Sequence, residues 1–369
     1  MNKRIIIFLL GVVCLGFLGL YLLQQGPVLL LQPPSEERIA FVSDRGGSPD
    51  LWTMRADGSD VRPVTNDPAD DQMPAWSPNG KEIVSVSDRN GKVYQVFISA
   101  WDGRYTRILT ASEGTKNAPV WNSDGAEITF ISGGKVCSVS RTGGREEQLL
   151  PPGGVTGLDT PGRSTYAYAA WSPDGKDLLY VRETDSGGAA YSVTRSDLDS
   201  YDGGNLNTIK VVAAANLHVA WAGSGSRVAA SFMDRQGTSG ILVEDMERVE
   251  KKDIVTSDPG TGPGKIAWSP DGETIAFELW KVVEGIPNRC IGIYVVPSTG
   301  GRPLLIAKGD ARGPAWSPDG GRLAYTMMGK NEKRDIWVVN ADGTGSVNLT
   351  KGIGDNSAPA WSPAKGKTR

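Results

Sequence analysis

The sequence predicts an all-β fold, a seven-bladed β-propeller preceded by one transmembrane helix. Three observations carry that expectation. A tryptophan-led phrase recurs seven times: WSPNG at Trp76, WNSDG at Trp121, WSPDG at Trp171, WAGSG at Trp221, WSPDG at Trp268 and Trp316, and WSPAK at Trp361. The steps between copies are 45, 50, 50, 47, 48 and 45 residues, a period in the range of propeller blades and too irregular for a solenoid whose coils stack identically. Finally, the 47 Gly and 23 Pro fall in no collagen-like period or low-complexity tract, so they read as turn residues between many short strands.

Each interval parses in the same way. A short apolar run ends in the Trp, Ser-Pro stops that strand because Pro donates nothing to a ladder, and Asp-Gly or Asn-Gly turns the chain. A second strand follows with β alternation (EIVSVS, EITFIS, DLLYVR, RVAASF, TIAFEL, RLAYTM), then a third (VYQVFIS, KVCSVS, AAYSVTRS, GILVEDM, CIGIYVVP, DIWVVN) and a shorter fourth (TRILT, EQLLP, IKVVAA, DIVTS, RPLLIA, SVNLT). Four antiparallel strands make one propeller blade. The ends fix the expected count. The first strand, RIAFVSDRG from Arg38, has no Trp phrase before it, and the last phrase, up to Pro363, has no second strand after it. Joining them completes a seventh blade and removes two open edges, whereas leaving them apart gives six blades with frayed ends.

The first residues differ in kind. After Lys3 and Arg4, the nineteen residues Ile5 to Leu23 carry no charge and would span about 28 Å as a helix. The basic tip places the rest of the chain outside the cytoplasm by the positive-inside rule. The expected organisation is therefore an anchor or uncleaved signal at 1–24, a linker at 25–37, the propeller at 38–363 and a tail at 364–369. No small-x-small site closely follows Leu23, and Cys14 lacks the context of a lipidated cysteine. The acidic excess, 42 Asp and Glu against 39 Lys and Arg, argues against a nucleic-acid partner. Cys137 and Cys290, each flanked by apolar residues and set far apart by the repeat, read as buried thiols.

The unit DQMPAWSPNGKEIVSVSDRNGKVYQVFIS, and more closely SAPAWSP joined to RIAFVSDRGGSPDLWTMRADGSDVRPVTND, resembles the repeats of the TolB-like β-propeller family, the WD40-like PD40 type. The resemblance covers Arg38 to Pro363 and is weakest at Trp221. It implies the fold, and it also brings departures: TolB-family members carry an α/β domain ahead of six blades, which makes a place in the Tol-Pal machinery doubtful here. Prolyl oligopeptidase and dipeptidyl peptidase families pair such propellers with an α/β-hydrolase domain, but no G-x-S-x-G elbow occurs in this chain. Oligogalacturonate lyases of similar fold use several His with a metal, whereas His218 is the only His.

The Trp phrase itself is poor chemistry, since Asn79, Ser224 and Ala364 replace its Asp; Trp76, Trp121, Trp171, Trp221, Trp268, Trp316 and Trp361 read as structural wedges between blades. The Ser-Asp-Arg stretches ending at Arg45 and Arg89 read as loop supports. Candidate binding residues lie three to six positions before each Trp, where the inner strands crowd the channel mouth: Asp70, Asp71, Gln72, Asn117, Tyr168, His218, Lys265, Arg312 and Asn356, with Lys116, Tyr166, Asn216 and Ser357 beside them. Solvated loop ends around a water-filled channel are the plain alternative. Trp280 and Ile286, in the apolar insertion ELWKVVEGIPNR, are candidates for contacting a partner, and residues 151–168 for a lid. No cofactor is expected, apart from an axial Ca²⁺ on Asp70 and Asp71 as an option, and no metal site is assigned.

The expected function is a non-catalytic binding platform for an envelope protein or glycan, single-pass in the cytoplasmic membrane with the propeller on the periplasmic or cell-surface side. A saccharide-active lyase or hydrolase using the channel mouth is the alternative. The sequence sets no oligomeric state.

Overall fold

The computed structural model describes residues 31–91, 93–150, 164–184, 189–195, 217–223, 225–233, 238–283, 286–329 and 331–364. Among them no helix is long and apolar enough to cross a membrane. The expected span, Ile5 to Leu23, lies outside the described residues, as do Asn216 and most of the expected lid, residues 151–163.

Among the described residues, twenty-seven strands form seven antiparallel sheets. The first sheet holds β1 (Arg38–Ser43), β2 (Asp50–Arg55) and β3 (Arg62–Pro63). The second holds β4 (Asp71–Trp76), β5 (Glu82–Ser87), β6 (Gln95–Ala100) and β7 (Thr106–Ile108), and the third β8 (Lys116–Trp121), β9 (Glu127–Ser132), β10 (Lys135–Ser140) and β11 (Glu146–Leu150). Three strands follow in the fourth: β12 (Ser164–Trp171), β13 (Asp177–Thr184) and β14 (Ala189–Arg195); its expected fourth strand, IKVVAA, lies outside the described residues. The fifth has β15 (His218–Trp221), β16 (Arg227–Met233), β17 (Ser239–Asp245) and β18 (Glu250–Thr256), the sixth β19 (Thr261–Trp268), β20 (Thr274–Val283), β21 (Ile286–Pro297) and β22 (Leu304–Lys308). The seventh has β23 (Ala311–Trp316), β24 (Arg322–Met328), β25 (Arg334–Asn340) and β26 (Val347–Asn348). The last strand, β27 (Asn356–Trp361), joins the first sheet as its innermost member, in the order β27-β1-β2-β3.

Each Trp ends an inner strand, and the phrase after it is held by more than a proline stop. In WSPNG the Ser77 amide donates to the Glu82 carbonyl (2.8 Å), the Glu82 amide donates to Ser77 Oγ (2.9 Å), and the hydroxyl donates to Asn79 (2.9 Å). Ser172, Ser269 and Ser317 repeat the arrangement with Asp174, Asp271 and Asp319. Gly80 closes the turn at φ 68°, a conformation costly for other residues. At the chain ends the same clamp is split between the termini: Ser362 N–H donates to Arg38 O (2.8 Å) and Arg38 N–H to Ser362 Oγ (3.0 Å).

Seven apolar clusters fill the seams, each shared by one sheet and the next. Val84, Val96 and Ile98 meet Ile128 and Phe130; Ile131 and Val136 meet Tyr166 and Leu178; Leu179 and Val181 meet Val219 and Val228. Ile241 packs on Ile275 and Phe277, and Ile293 on Leu323 and Tyr325. The circuit closes where Ala324, Ile336 and Val338 meet Ile39, Phe41 and Met54, and where Ala40 and Leu51 meet Ile83. Burying each such large apolar side chain contributes about 1.5–3 kcal/mol.

Two outcomes are expected. Trp361→Ala, which empties the closing wedge, lowers stability by about 3–5 kcal/mol, and Ser362→Ala, which leaves the Arg38 amide without its acceptor, by about 1–3 kcal/mol; denaturant midpoints of the full chain measure both. The turn aspartates give a pH signature. Hydrogen bonds from Ser172, Ser269 and Ser317 hold the carboxyls of Asp174, Asp271 and Asp319 below their ordinary value. A carboxyl whose folded pKa is depressed stabilises the fold above its unfolded pKa and loses that contribution as pH falls through the folded value, here below about pH 4. Melting temperature should therefore fall less between about pH 5 and pH 3 when all three are replaced by Asn, and more in Asn79→Asp.

Candidate functional site

The inner strands β4, β8, β12, β19, β23 and β27 run alongside one another, and β15 lies against β19, so the starts of these strands form the wall of the central channel. Most of them bulge there. In β4 the register with β5 passes from Gln72 opposite Val86 to Ala75 opposite Val84, so two residues face one. Similar shifts occur at Asn117/Val120, Tyr166/Tyr168, Pro263/Ile266 and Arg312/Ala315. The residues three before the Trp in the Pro-containing copies, Met73, Ala118, Gly313 and Ala358, take positive φ between 48° and 64°. Adjacent copies touch: the Ala118 amide lies 3.3 Å from Met73 Sδ.

The bulge decides which expected residues reach the channel. Five positions before the Trp, the side chain turns into the blade. Asp71 is fully buried, with Arg89 Nη2 on both its oxygens (2.8 and 2.7 Å) and on Asp67 (3.0 Å). Lys116, also fully buried, donates from Nζ to the carbonyls of Ser112, Glu113 and Gly114. Burial lowers its pKa. Asn356 donates to the carbonyls of Arg334, Ile353 and Gly354 and accepts from Arg45. Asp71 and Asn356 are thus loop supports rather than mouth residues, because the side chain five before the Trp turns inward to the loop that enters its strand. Arg45 and Arg89 each also donate from Nε to the Ser two residues earlier. The carboxylates of Asp50, Asp67 and Asp71 come within 4.8 Å of one another, and Arg89 answers two of them.

Four and three positions before the Trp, side chains face the channel. Gln72 donates to Tyr94 Oη (3.1 Å), and the Asp70 amide at the rim donates to Asp88 Oδ1 (2.9 Å). Asn117 is exposed. Arg312 pairs with Asp310 (2.6 Å) and lies 4.8 Å above the Trp280 ring. Tyr168 packs on the Leu179–Val219 cluster, and burial pushes its phenol up to about 12. His218 and Lys265 are both exposed at the equivalent position of neighbouring sheets. Protein mass around the imidazole still pushes the His218 pKa down, with Glu278 opposing this and Lys265 adding to it.

Glu278 is the residue that sequence reasoning missed. Nearly buried, it accepts from Trp280 Nε1 (2.8 Å) and the Gly313 amide (2.7 Å), and a Cβ on Gly264 would fall 2.5 Å from Trp280 Nε1. The glycine beside Lys265 was the available signal. Trp280 is accordingly no exposed anchor: the apolar insertion is a long hairpin, with Trp280 paired to Cys290 and Gly262 across the ladder, because its β-branched and aromatic residues extend the strands. Ile286 opens β21, and its side chain lies outside the described ones. Cys137 and Cys290 are free thiols; burial pushes Cys290 up to about 12, and it lies 3.0 Å from the Ala311 carbonyl.

Because His218 is the chain's only imidazole, its titration is directly readable by NMR. Its midpoint should lie below the ordinary 6.5, rise in Lys265→Met and fall further in Glu278→Gln.

Residues 32–193 match the TolB β-propeller domain family. The chain is 26% identical over 277 residues to dipeptidyl-peptidase 5 of Porphyromonas gingivalis, covering 69% of this chain and 36% of that protein. It is 37% identical over 84 residues to the Tol-Pal system protein TolB of Anaeromyxobacter dehalogenans, 23% of this chain and 18% of that one. The crystal structure of TolB from Acinetobacter baumannii superposes with a TM-score of 0.55 at 18% identity, over 89% of this chain and 67% of that one, a likeness of fold. The chain spans about a third of the length of the peptidase it matches. That match overturns the expectation of a protein that is not an enzyme: a relative over 277 residues is a peptidase by name, and a missing nucleophile elbow in the shared part excludes nothing about catalysis. The fold of the described residues thus agrees with the TolB β-propeller domain that the sequence of residues 32–193 matches.

Proposed function

We propose that this chain is a seven-bladed propeller held at the extracytoplasmic side of the membrane by its N-terminal apolar segment, and that it binds an envelope protein through the channel mouth. The observation that carries the reading is the contrast between its two faces. The turn face repeats one clamp in nearly every sheet, whereas the mouth carries a different side chain in each: Gln72, Asn117, Tyr168, His218, Lys265 and Arg312. Side chains that vary on a repeated, fully bonded backbone are placed for recognition rather than folding. The ring of seven shared clusters supports the blade count, the run from Ile5 to Leu23 supports the anchor, and the likeness to a Tol-Pal system protein supports an envelope setting.

A second reading is favoured by the 277-residue match to a dipeptidyl-peptidase: the propeller serves a peptidase and admits peptide through the same mouth. Both readings bring a polypeptide to these residues. A photo-crosslinking residue at Asn117, compared with one at the exposed Lys176 on the turn face, tests the contact in membranes expressing the full chain. Protein adducts are expected from Asn117 and not from Lys176; adducts from Lys176 alone, or from neither, overturn the proposal.

A further inference from the structure

At the channel-wall position three residues before the Trp, the seven sheets divide. Four of them, in sequence neighbours around the seam of the termini, carry Met73, Ala118, Gly313 and Ala358, all at positive φ and without charge. The other three, consecutive in the ring, carry Tyr168, His218 and Lys265, whose φ values stay outside the left-handed region. At this position one side of the ring carries uncharged side chains, and the opposite side an imidazole and an ammonium beside Tyr168, whose ring packs on the Leu179–Val219 cluster.

The basic groups elsewhere near the inner strands are answered within the protein. Arg89 is held by Asp67 and Asp71, Lys116 by three carbonyls, and Arg312 by Asp310. Among the described residues His218 and Lys265 have neither a hydrogen bond nor an ion pair, although both are exposed on the wall of the channel. The nearby carboxylate, Glu278, favours the charged form of His218 but bonds to Trp280 Nε1 and the Gly313 amide rather than to either side chain. Two exposed donors, an imidazole and an ammonium, at the same position of adjacent inner strands are a receptor for an anion.

We propose that His218 and Lys265 form a notch that takes the free C-terminal carboxylate of an extended peptide entering the channel. This rests on the reading of the mouth as the contact face and adds which end of the partner enters. A peptide rather than an acidic sugar is favoured by the rest of the wall. The inner strands are edge strands whose unpaired backbone groups match a peptide's own donors and acceptors. Met73, exposed beside them on the wall, offers contact to an apolar side chain of such a peptide.

The test uses the immobilised full chain and three probes: a randomised hexapeptide pool with free C-terminal carboxylates, the same pool amidated, and trigalacturonate. Retention of the free-acid pool about tenfold above the amidated pool is expected, the scale of one charge-assisted contact. Lys265→Gln and His218→Gln should each bring the free-acid pool toward the amidated level with melting temperature unchanged, since neither side chain is bonded to the protein. Equal retention of both pools overturns the carboxylate notch and leaves the mouth as a peptide-binding face. Retention of neither pool overturns both readings, and preferential retention of trigalacturonate replaces the peptide with a glycan.

Discussion

The hydrogen bond from each indole N–H across its seam is the interaction on which the ring depends. Trp121, Trp221, Trp268 and Trp316 donate to the carbonyls of Ala75, Ala170, Ala220 and Ala267, the residue before the Trp of the preceding sheet, at 3.0–3.1 Å. Trp361 donates to Ala315 in the same manner, and Trp76 returns to Ala360. An inner strand is an edge strand and exposes carbonyls that no ladder satisfies. The indole satisfies one of them while its ring fills the wedge beside it, so packing and polar satisfaction are achieved by a single side chain. Because the acceptor of each bond lies next to the donor of another, the spacing of one seam constrains the next around the circuit. A ring of this kind is complete only if its last member reaches its first, and that is why Ser362 and Arg38, 324 residues apart, share a clamp that elsewhere spans five.

The same economy separates folding residues from recognising ones. At the buried position five before the Trp, Asp71, Lys116 and Asn356 differ in charge, yet each ties down the loop that enters its strand. Lys116 and Asn356 do so by donating to loop carbonyls, and Asp71 through the guanidinium of Arg89. Leaving Asp71 buried without Arg89 would cost far more than the pair contributes, so these groups are fixed by folding. One and two residues later the bulge turns the side chains out, and no internal partner is required of them.

The architecture was readable because the phrase marks the same point in every unit: a large aromatic, a clamp and a turn. The role of the serine was not, since Ser-Pro explains a strand end as well as a hydroxyl does. Asn122 in the second copy held the clue. Its Oδ1 accepts the Glu127 amide at 2.9 Å, as the serine hydroxyls do in their copies, so what the position requires is a side-chain acceptor. The site was half readable. Counting three to six residues back from the Trp found the right strands, but it took every residue of that stretch as facing the mouth and so included Asp71 and Asn356, because a bulge leaves only the proline two before the Trp as its trace. Trp280 was open to two readings, a loop anchor or an extension of the strand, and the ladder that continues to Val283 gives the second.

The departures from the repeat fall together, and their position bears on function. Trp171 is the one repeat indole that donates to a side chain, Thr129 Oγ1 at 2.8 Å, in place of the carbonyl used elsewhere. Ala222, where other copies have a serine or an asparagine, keeps the amide bond to Arg227 but offers no side-chain acceptor. The prolines two before the Trp are missing from the same three sheets, where Ala169, Val219 and Ile266 stand instead. These sheets carry Tyr168, His218 and Lys265. Without the proline-linked positive φ, a residue at that position bears a long side chain without backbone strain, which Met73 alone accepts on the other side of the ring. The sector that gives up the repeat's stabilising devices is therefore the one able to hold extended polar side chains in the channel, and the loss of regularity there is what recognition at that wall requires.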